Sequence, residues 1–261
     1  MLAPRSLDEA LRLKAERPDA VPIEGGTDVM VELNFDRRRP DAILNLNEVP
    51  ELKGWSRDNG RLRLGAGLTY TEAMRDLATA LPALAEASRT VGSPQIRNRG
   101  TIGGNLGTAS PAGDALPPLL VEGADVELAS VRGTRLLPLT EFLVGPKRNA
   151  LADDELIAAV HVEPSGAPQT FMKVGPRNAM VIAVCSLALV ADREREELRA
   201  SYGSAGPVPG LVVAPLAEAG DFPERVAEAA SPIDDVRGTA AYRRHALRVL
   251  AQRALERCLA A

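Results

Sequence analysis

Two short stretches of this chain carry the residue types from which a site for a phosphorylated ligand is built. The first, Glu24-Gly25-Gly26-Thr27-Asp28, follows the apolar run Val21–Ile23. The second, Thr101-Ile102-Gly103-Gly104-Asn105, opens the block "TIGGNLGTASPAGDALPPLL". Glycine has no Cβ, so ligand oxygens can approach its backbone N–H closely. Successive N–H groups aimed into one concavity form an anion nest, and a helix start nearby adds partial positive charge. Thr27 and Thr101 supply hydroxyls, and Asn105 both donates and accepts. Each loop taken singly is explained as well by a tight turn, because Gly and Asn punctuate chains wherever backbone must bend. Two such loops together can hold the two ends of one diphosphate.

Other chemistry has little to stand on. No G-x-x-x-x-G-K-[ST] is present, and "GAGLTY" (65–70) has Tyr70 where the dinucleotide fingerprint needs its third glycine. The only cysteines are Cys185 and Cys258, too few for an iron–sulfur cluster, which usually takes four thiolates. With His161 and His245 as the only histidines, a zinc site is not expected. No nucleophile stands beside a recognisable base, which suits a cofactor that carries the chemistry itself.

The elements that must position the loops read as follows. Residues 6–16 form a helix with Ser6 as cap and Glu9 completing a capping box. "VPI", the Gly-Gly turn, a helix from Thr27-Asp28 and the strand "DAILNLN" make a small unit ending near residue 53. Asn59-Gly60 marks a hairpin. "TYTEAMRDLATALPALAEASRTV" is helical, with Thr71 a candidate cap and Pro82 a break or fresh start. "GADVELASVRGTRLLPL" gives two strands about Arg132-Gly133, and "DDELIAAVHV" a turn and a strand. Beyond residue 165, "APQTFMKVGPR", the buried "MVIAVCSLALVAD", "ELRASYGSAG" and "GLVVAPLAEAG" complete a small sheet. Two helices follow, the last amphipathic.

Composition sets the class. At 261 residues with 45% apolar content, the chain has ample core for a globular protein. A net charge of −4 and 3% aromatics argue against nucleic acid as a partner. No apolar run reaches the length of a membrane span, and the first twenty residues lack a signal-peptide core, so a cytoplasmic location is expected.

"EGGTDVMVELN" followed by "RNRGTIGGNLGTASPAGDALPPLL" resembles the FAD-binding medium subunit of the xanthine dehydrogenase and carbon monoxide dehydrogenase family, the molybdenum hydroxylases. "GPRNAMVIAVCSLAL" and "AAYRRHALRVLAQRAL" resemble that family's C-terminal domain, so the similarity runs over nearly the entire chain. It implies an α+β fold: two N-terminal α+β subdomains of the PCMH type clasping FAD, here 1–53 and 54–163, then a C-terminal domain over 164–261 of a small antiparallel sheet and helices. It implies that Ile23, Glu24, Gly25, Gly26, Thr27, Asp28 and Val29 run along the FAD diphosphate and ribityl chain, with Thr101, Gly103, Gly104 and Asn105 on the other side. Asp114 matches an acidic residue near the adenosine end; on residue type alone it serves equally as a cap for "ALPPLLVEG". Val91 and Ile157 match apolar positions lining the cofactor, and Lys173 a lysine near the flavin. Without the resemblance, Val91 and Ile157 are core residues and Lys173 a solvated lysine at a strand edge.

The implied function is electron transfer. FAD would receive electrons from a small subunit with two [2Fe–2S] clusters, themselves fed by a large molybdopterin subunit, and pass them to NAD, oxygen or another acceptor. The implied assembly is a heterotrimer or a dimer of heterotrimers. Two alternatives stay open from the sequence: a stand-alone FAD oxidoreductase with its own organic substrate, and a flavin-free assembly subunit.

Overall fold

The structure is a computed structural model that describes residues 1–261. Helix α1 (Leu7–Glu16) starts where expected: the Ser6 hydroxyl accepts from Glu9 N–H, but the Glu9 carboxylate reaches back to Arg5 N–H, not to that of Ser6. Strand β1 (Val21–Ile23), helix α2 (Val29–Asn34) and strand β2 (Ile43–Asn45) follow, with β1 and β2 paired in parallel. The Gly-Gly loop thus lies between a strand end and a helix start.

A five-stranded sheet forms the next layer. Strands β3 (Trp55–Asp58) and β4 (Arg61–Gly65) join through Asn59 and Gly60 at φ +48° and +86°. Two positive φ values give the turn whose twist matches that of the strands it connects. Five helices come next: α3 (Tyr70–Asp76), α4 (Pro82–Thr90), α5 (Pro94–Arg97), α6 (Ile102–Thr108) and α7 (Leu116–Val121). The cap of α3 is Thr69, not Thr71. Thr69 and Glu72 form a reciprocal capping box, while Thr71 lies within the helix and its hydroxyl donates to Asn98 Oδ1. Pro82 occupies the first turn of α4, where its missing N–H costs no hydrogen bond.

Strands β5 (Asp125–Ser130) and β6 (Gly133–Pro138), short helix α8 (Leu139–Phe142), the small hairpin β7 (Leu143–Gly145) and β8 (Arg148–Asn149), and β9 (Leu156–Val162) complete this half. The sheet order is β3-β4-β9-β5-β6, all antiparallel. Its apolar face joins α1 and the helices in one core running from Ala10 to Val162, with Leu62, Leu64, Ile102, Leu106 and Phe142 wholly buried.

The remainder is an antiparallel meander of β10 (Gln169–Val174), β11 (Cys185–Asp192), β12 (Glu197–Gly203) and β13 (Gly210–Pro215), covered by α9 (Phe222–Ala229) and α10 (Ala240–Ala260). Every residue of β11 is buried, but the strand begins at Cys185 and not at Met180, which is exposed with φ +51°. Cys185 and Cys258 are free thiols in this core, and burial pushes both up to about 12. They are inert packing groups.

The two halves meet where α4 lies along the outer edge of β10. An edge strand presents unpaired backbone groups. Glu86 of α4 meets that need, accepting from Phe171 N–H at 2.7 Å and from the Thr170 hydroxyl at 2.8 Å. A small cluster of Ala83, Ala87, Val121, Phe171, Ala188 and Val190 packs beside it. Replacing Glu86 by Ala should lower stability by about 1–2 kcal/mol, read as a lower urea midpoint, because two donors lose their acceptor. Glu86→Gln keeps one acceptor oxygen and should lose less; equal midpoints for Glu86→Ala and the parent would show that water serves those donors as well.

Candidate functional site

The two glycine loops face each other across a cleft of about 400 Å³. That is within the ordinary range for small-molecule sites. Twelve of the residues expected at the site line it: Ile23, Glu24, Gly25, Gly26, Thr27, Asp28 and Val29 on one wall, Thr101, Gly103, Gly104 and Asn105 on the other, and Ile157 from β9.

The first loop is held in place by what crosses behind it. A Cβ on Gly25 would stand 2.0 Å from the carbonyl oxygen of Arg99, so no other residue fits there without moving one of the chains. The Arg99 guanidinium donates to Glu24 O at 3.2 Å and to Asn47 Oδ1 at 2.7 Å, while Asn47 Nδ2 donates to Glu24 O at 3.0 Å. Gly26 sits at φ +73°, which only glycine adopts freely. Across the cleft, Asp28 Oδ2 accepts from the Thr108 hydroxyl at 2.8 Å. The Glu24 side chain turns into the wall and pairs with Lys53; burial pushes its carboxyl up, with Lys53 pulling the other way.

The backbone N–H groups of Gly25, Gly26, Thr27 and Asp28 donate to no backbone carbonyl. Gly25, Gly26 and Thr27 are half-buried, where amides are nearly always satisfied, and Asp28 is exposed; the row is free to meet an acceptor that the chain does not supply. The second loop differs. Ile102 N–H donates to Leu68 O, Gly103 N–H to Ala66 O, Gly104 N–H to Thr101 Oγ1 and Asn105 N–H to Thr101 O. The expectation of two amide nests is therefore met at one loop only. A Cβ on Gly103 would meet Ala66 at 2.5 Å, so that glycine serves packing, whereas one on Gly104 would meet only Thr101 Oγ1. The second wall offers a bare surface and the Thr101 hydroxyl, whose proton is free to donate. The Asn105 carbonyl oxygen accepts from Ala115 N–H at 3.3 Å and pins the following turn.

Val91, Asp114 and Lys173 do not line this cleft; they gather behind it. Asp114 Oδ2 lies 2.6 Å from Lys173 Nζ, both side chains are almost wholly buried, and Nζ also approaches Thr90 O, next to Val91, at 3.4 Å. Burial pushes the Asp114 carboxyl up despite the lysine, and its Oδ1 has no partner. Asp114 is not a cap: α7 starts at Leu116, with Ala115 at its N-cap and no side-chain cap. Lys173 does lie on the edge strand, yet it is buried and not solvated. The separate assignments, Asp114 to the adenosine end and Lys173 to the flavin, thus fall on one ion pair. Val91 ends α4, and its carbonyl accepts from Arg97.

Four cleft residues carried no signal that singled them out. Tyr70 is buried against Gly100, and burial, reinforced by Asp114 and Asp28, pushes its phenol up. Arg38, Lys147 and Glu155 also line the cleft, and Glu155 is held below the usual carboxylate range by Arg135. His161 lies 2.6 Å from Glu127 Oε2, where Arg63 joins the same carboxylate. Its place is in a structural ladder away from the cleft.

A row of unpaired amides across a cleft from a bare glycine wall suits a phosphorylated ligand. Residues 1–164 match the family described as "FAD binding domain in molybdopterin dehydrogenase". The chain is 33% identical over 213 residues to the xanthine dehydrogenase FAD-binding subunit of Escherichia coli O157:H7, covering 78% of this chain and 73% of that one. It is 38% identical over 191 residues to the nicotinate dehydrogenase FAD-subunit of Eubacterium barkeri, covering 70% and 64%. The fold superposes on a chain of the Cu,Mo-CO dehydrogenase with a TM-score of 0.92 at 24% identity, over 99% of this chain and 96% of that one. The chain belongs to the FAD-binding medium subunits of the molybdenum hydroxylase family, and its cofactor is FAD. It is an oxidoreductase subunit. No helix is long and apolar enough to cross a membrane.

Gly25→Ala forces the loop off Arg99. It should weaken FAD binding by about tenfold or more, measured by flavin fluorescence on the stripped protein, with the circular dichroism spectrum retained. Unchanged affinity would mean that the crossing does not shape the site. The Glu155 carboxyl, held down by Arg135, adds stability that is complete above the ordinary glutamate range near 4.5. That contribution is lost as pH falls through its folded value. Glu155→Gln should therefore flatten the acid limb of a stability–pH curve and leave its slope at pH 6–8 unchanged, a comparison made by urea unfolding across a pH series.

Proposed function

We propose that this chain binds FAD across the described cleft and relays electrons through it. In this reading the N–H groups of Gly25, Gly26, Thr27 and Asp28 hold the diphosphate, with Thr101 and Asn105 facing it. Ile23, Val29 and Ile157 give apolar contact. Gly103 and Gly104 keep the second wall flat, and Glu24 anchors the first. Val91, Asp114 and Lys173 lie toward the isoalloxazine end as one group. The observation that carries this reading is the row of four unpaired amides at Gly25–Asp28, whose donors suit an anion. The orphaned Oδ1 of buried Asp114 fits a ligand donor in the same way.

Bound FAD supplies the capacity to take electrons singly or in pairs. The protein's part is to hold it, limit water and set the local charge. We assign the electron source to a small [2Fe–2S] subunit within a heterotrimer that includes a large molybdopterin subunit, singly or as a dimer of heterotrimers, with NAD, oxygen or another acceptor at the end. The names of the relatives as FAD subunits of dehydrogenases support this. So does the chain's own donor inventory, in which no three His, Cys, Asp or Glu residues are grouped for a metal and both cysteines are buried singly. The division into subdomains 1–53 and 54–163 and a C-terminal domain from 164 belongs to the same reading.

The electrostatic part is testable on the flavin itself. Lys173→Met removes the positive partner and should shift the flavin midpoint negative, while Asp114→Asn leaves the lysine uncompensated and should shift it positive. Unchanged midpoints in both would remove the pair from the cofactor's surroundings. The relay is tested by stopped-flow reduction: the chain alone should stay oxidised with candidate organic substrates and be reduced only with its partner subunits present. Direct reduction by a substrate would favour a stand-alone oxidoreductase, and folded protein that stays colourless with excess FAD would favour an assembly subunit.

A further inference from the structure

The cleft has an uneven charge inventory. Its lining carboxylates are Glu24, Asp28, Glu32 and Glu155, and its lining cations are Arg38 and Lys147. Three of the four acids are engaged elsewhere: Glu24 with Lys53, Glu155 with Arg135, and Asp28 with the Thr108 hydroxyl. Both cations are left leaning on the fourth. Arg38 Nη1 stands 3.7 Å from Glu32 Oε2, and Lys147 Nζ stands 4.0 Å from Glu32 Oε1. Neither separation is a hydrogen bond. Two positive charges thus share one carboxylate at long range, beside a row of unpaired amides.

The placement of Lys147 is built. It sits at φ +54° between β7 and β8, an uncommon conformation for a residue with a side chain. Its N–H donates to Ala109 O at 3.0 Å, and Asn149 Nδ2 donates to Gly107 O at 2.8 Å. These bonds dock the hairpin on the C-terminal end of α6, the helix formed by the second glycine loop. Arg38 and Glu32 belong to the opposite wall, on and just after α2, the helix that follows the first glycine loop. The Lys147–Glu32 contact therefore spans the two walls.

We propose that Arg38 and Lys147 form a two-sided cationic clamp for the cofactor's diphosphate, and that both leave Glu32 for phosphate oxygens when FAD binds. The proposal rests on the placement of FAD given above. It adds what the amides alone lack, since four N–H groups carry partial charge only and a diphosphate brings two full negative charges into a cleft already lined by acids. Glu32 is then a competitor that holds the cations ready, so that FAD is met by charges already gathered at the cleft.

FAD titration of the full chain stripped of flavin, followed by flavin fluorescence across a NaCl series, tests the clamp. Lys147→Met and Arg38→Met should each weaken FAD about fivefold, and the pair together about twentyfold or more. Lys147→Arg and Arg38→Lys should stay within about twofold of the parent. In the parent, affinity should fall as salt rises; in the double variant this dependence should be markedly shallower. Glu32→Gln should tighten FAD about twofold to threefold, because the cations no longer divide their charge. A double variant with the parent's affinity and salt dependence overturns the clamp, and weaker FAD binding by Glu32→Gln overturns the exchange. Parent chain that binds no FAD at any salt concentration fails differently, removing the placement of the cofactor itself. Since Lys147 is largely exposed, Arg38 about half and Glu32 partly so, and none makes a close ion pair, the variants should unfold at the parent's temperature without FAD. The parent's own salt dependence reads the clamp even where a variant does not fold.

Discussion

The site depends on one steric fact: two backbones cross with no room between them. Gly25 lies against the carbonyl of Arg99 so closely that a single methyl group would overlap it. The crossing brings a loop that leaves β1 into contact with the turn that precedes α6. Everything that gives the cleft its chemistry follows. Arg99 can then reach Glu24 O and Asn47, which holds the loop from behind. With the Glu24 carbonyl tethered, the N–H groups of Gly25 to Asp28 keep no backbone partner within the chain. The Asp28–Thr108 hydrogen bond ties the walls together near the same level. Neither wall would keep its shape alone. The first unit has one two-stranded parallel pair and a helix with no buried residue; it borrows its rigidity from the sheet and helices opposite.

The two glycine pairs look alike as sequence but do different work. In the first, the backbone amides are free. In the second, the amides are spent on internal bonds and the glycines let chains approach: Gly103 for Ala66, Gly104 for whatever fills the cleft. A hydrogen-bond census separates them where residue type does not. The difference has a structural cause. The second loop is the first turn of a helix docked against Ala66 and Leu68, and helix formation with docking consumes the very donors that a free loop would leave open.

Local grammar was well written in the sequence. The Asn59-Gly60 hairpin, the start of α4 at Pro82, the Ser6 cap and the fully buried β11 all follow from short-range rules. Both glycine loops were marked in the sequence too, although each taken singly read equally well as a tight turn. What stayed hidden depends on long-range approach. Asn47 and Arg99 hold the loop from far along the chain, and nothing in their neighbours marks them. Tyr70 lines the cleft because α3 begins shortly after the end of β4. Asp114 and Lys173 carried separate assignments because 59 positions part them, yet they are one ion pair. The Thr71 cap failed for a simpler reason: Thr69 also had a glutamate three residues on, and the reciprocal box prevailed.

The buried Asp114–Lys173 pair also ties the C-terminal half to the turn before α7. Lys173 reaches Asp114 from β10, a strand of the other core, and it does so without water to screen it. Placing such a pair costs desolvation on both sides, and burial alone seldom gives a net gain in stability. A hydrophobic pair would join the two halves as well, as Phe171 and Val121 do nearby. What the ion pair adds is a fixed dipole, with one carboxylate oxygen unpaired, directly behind the turn that Asn105 pins. Its position is set by β10, and β10 is set in turn by Glu86 on its outer edge. The C-terminal meander thus meets the first half along several strands: Lys173 of β10 places a buried charge at Asp114, and just past β12 Ser204 N–H donates to Pro111 O.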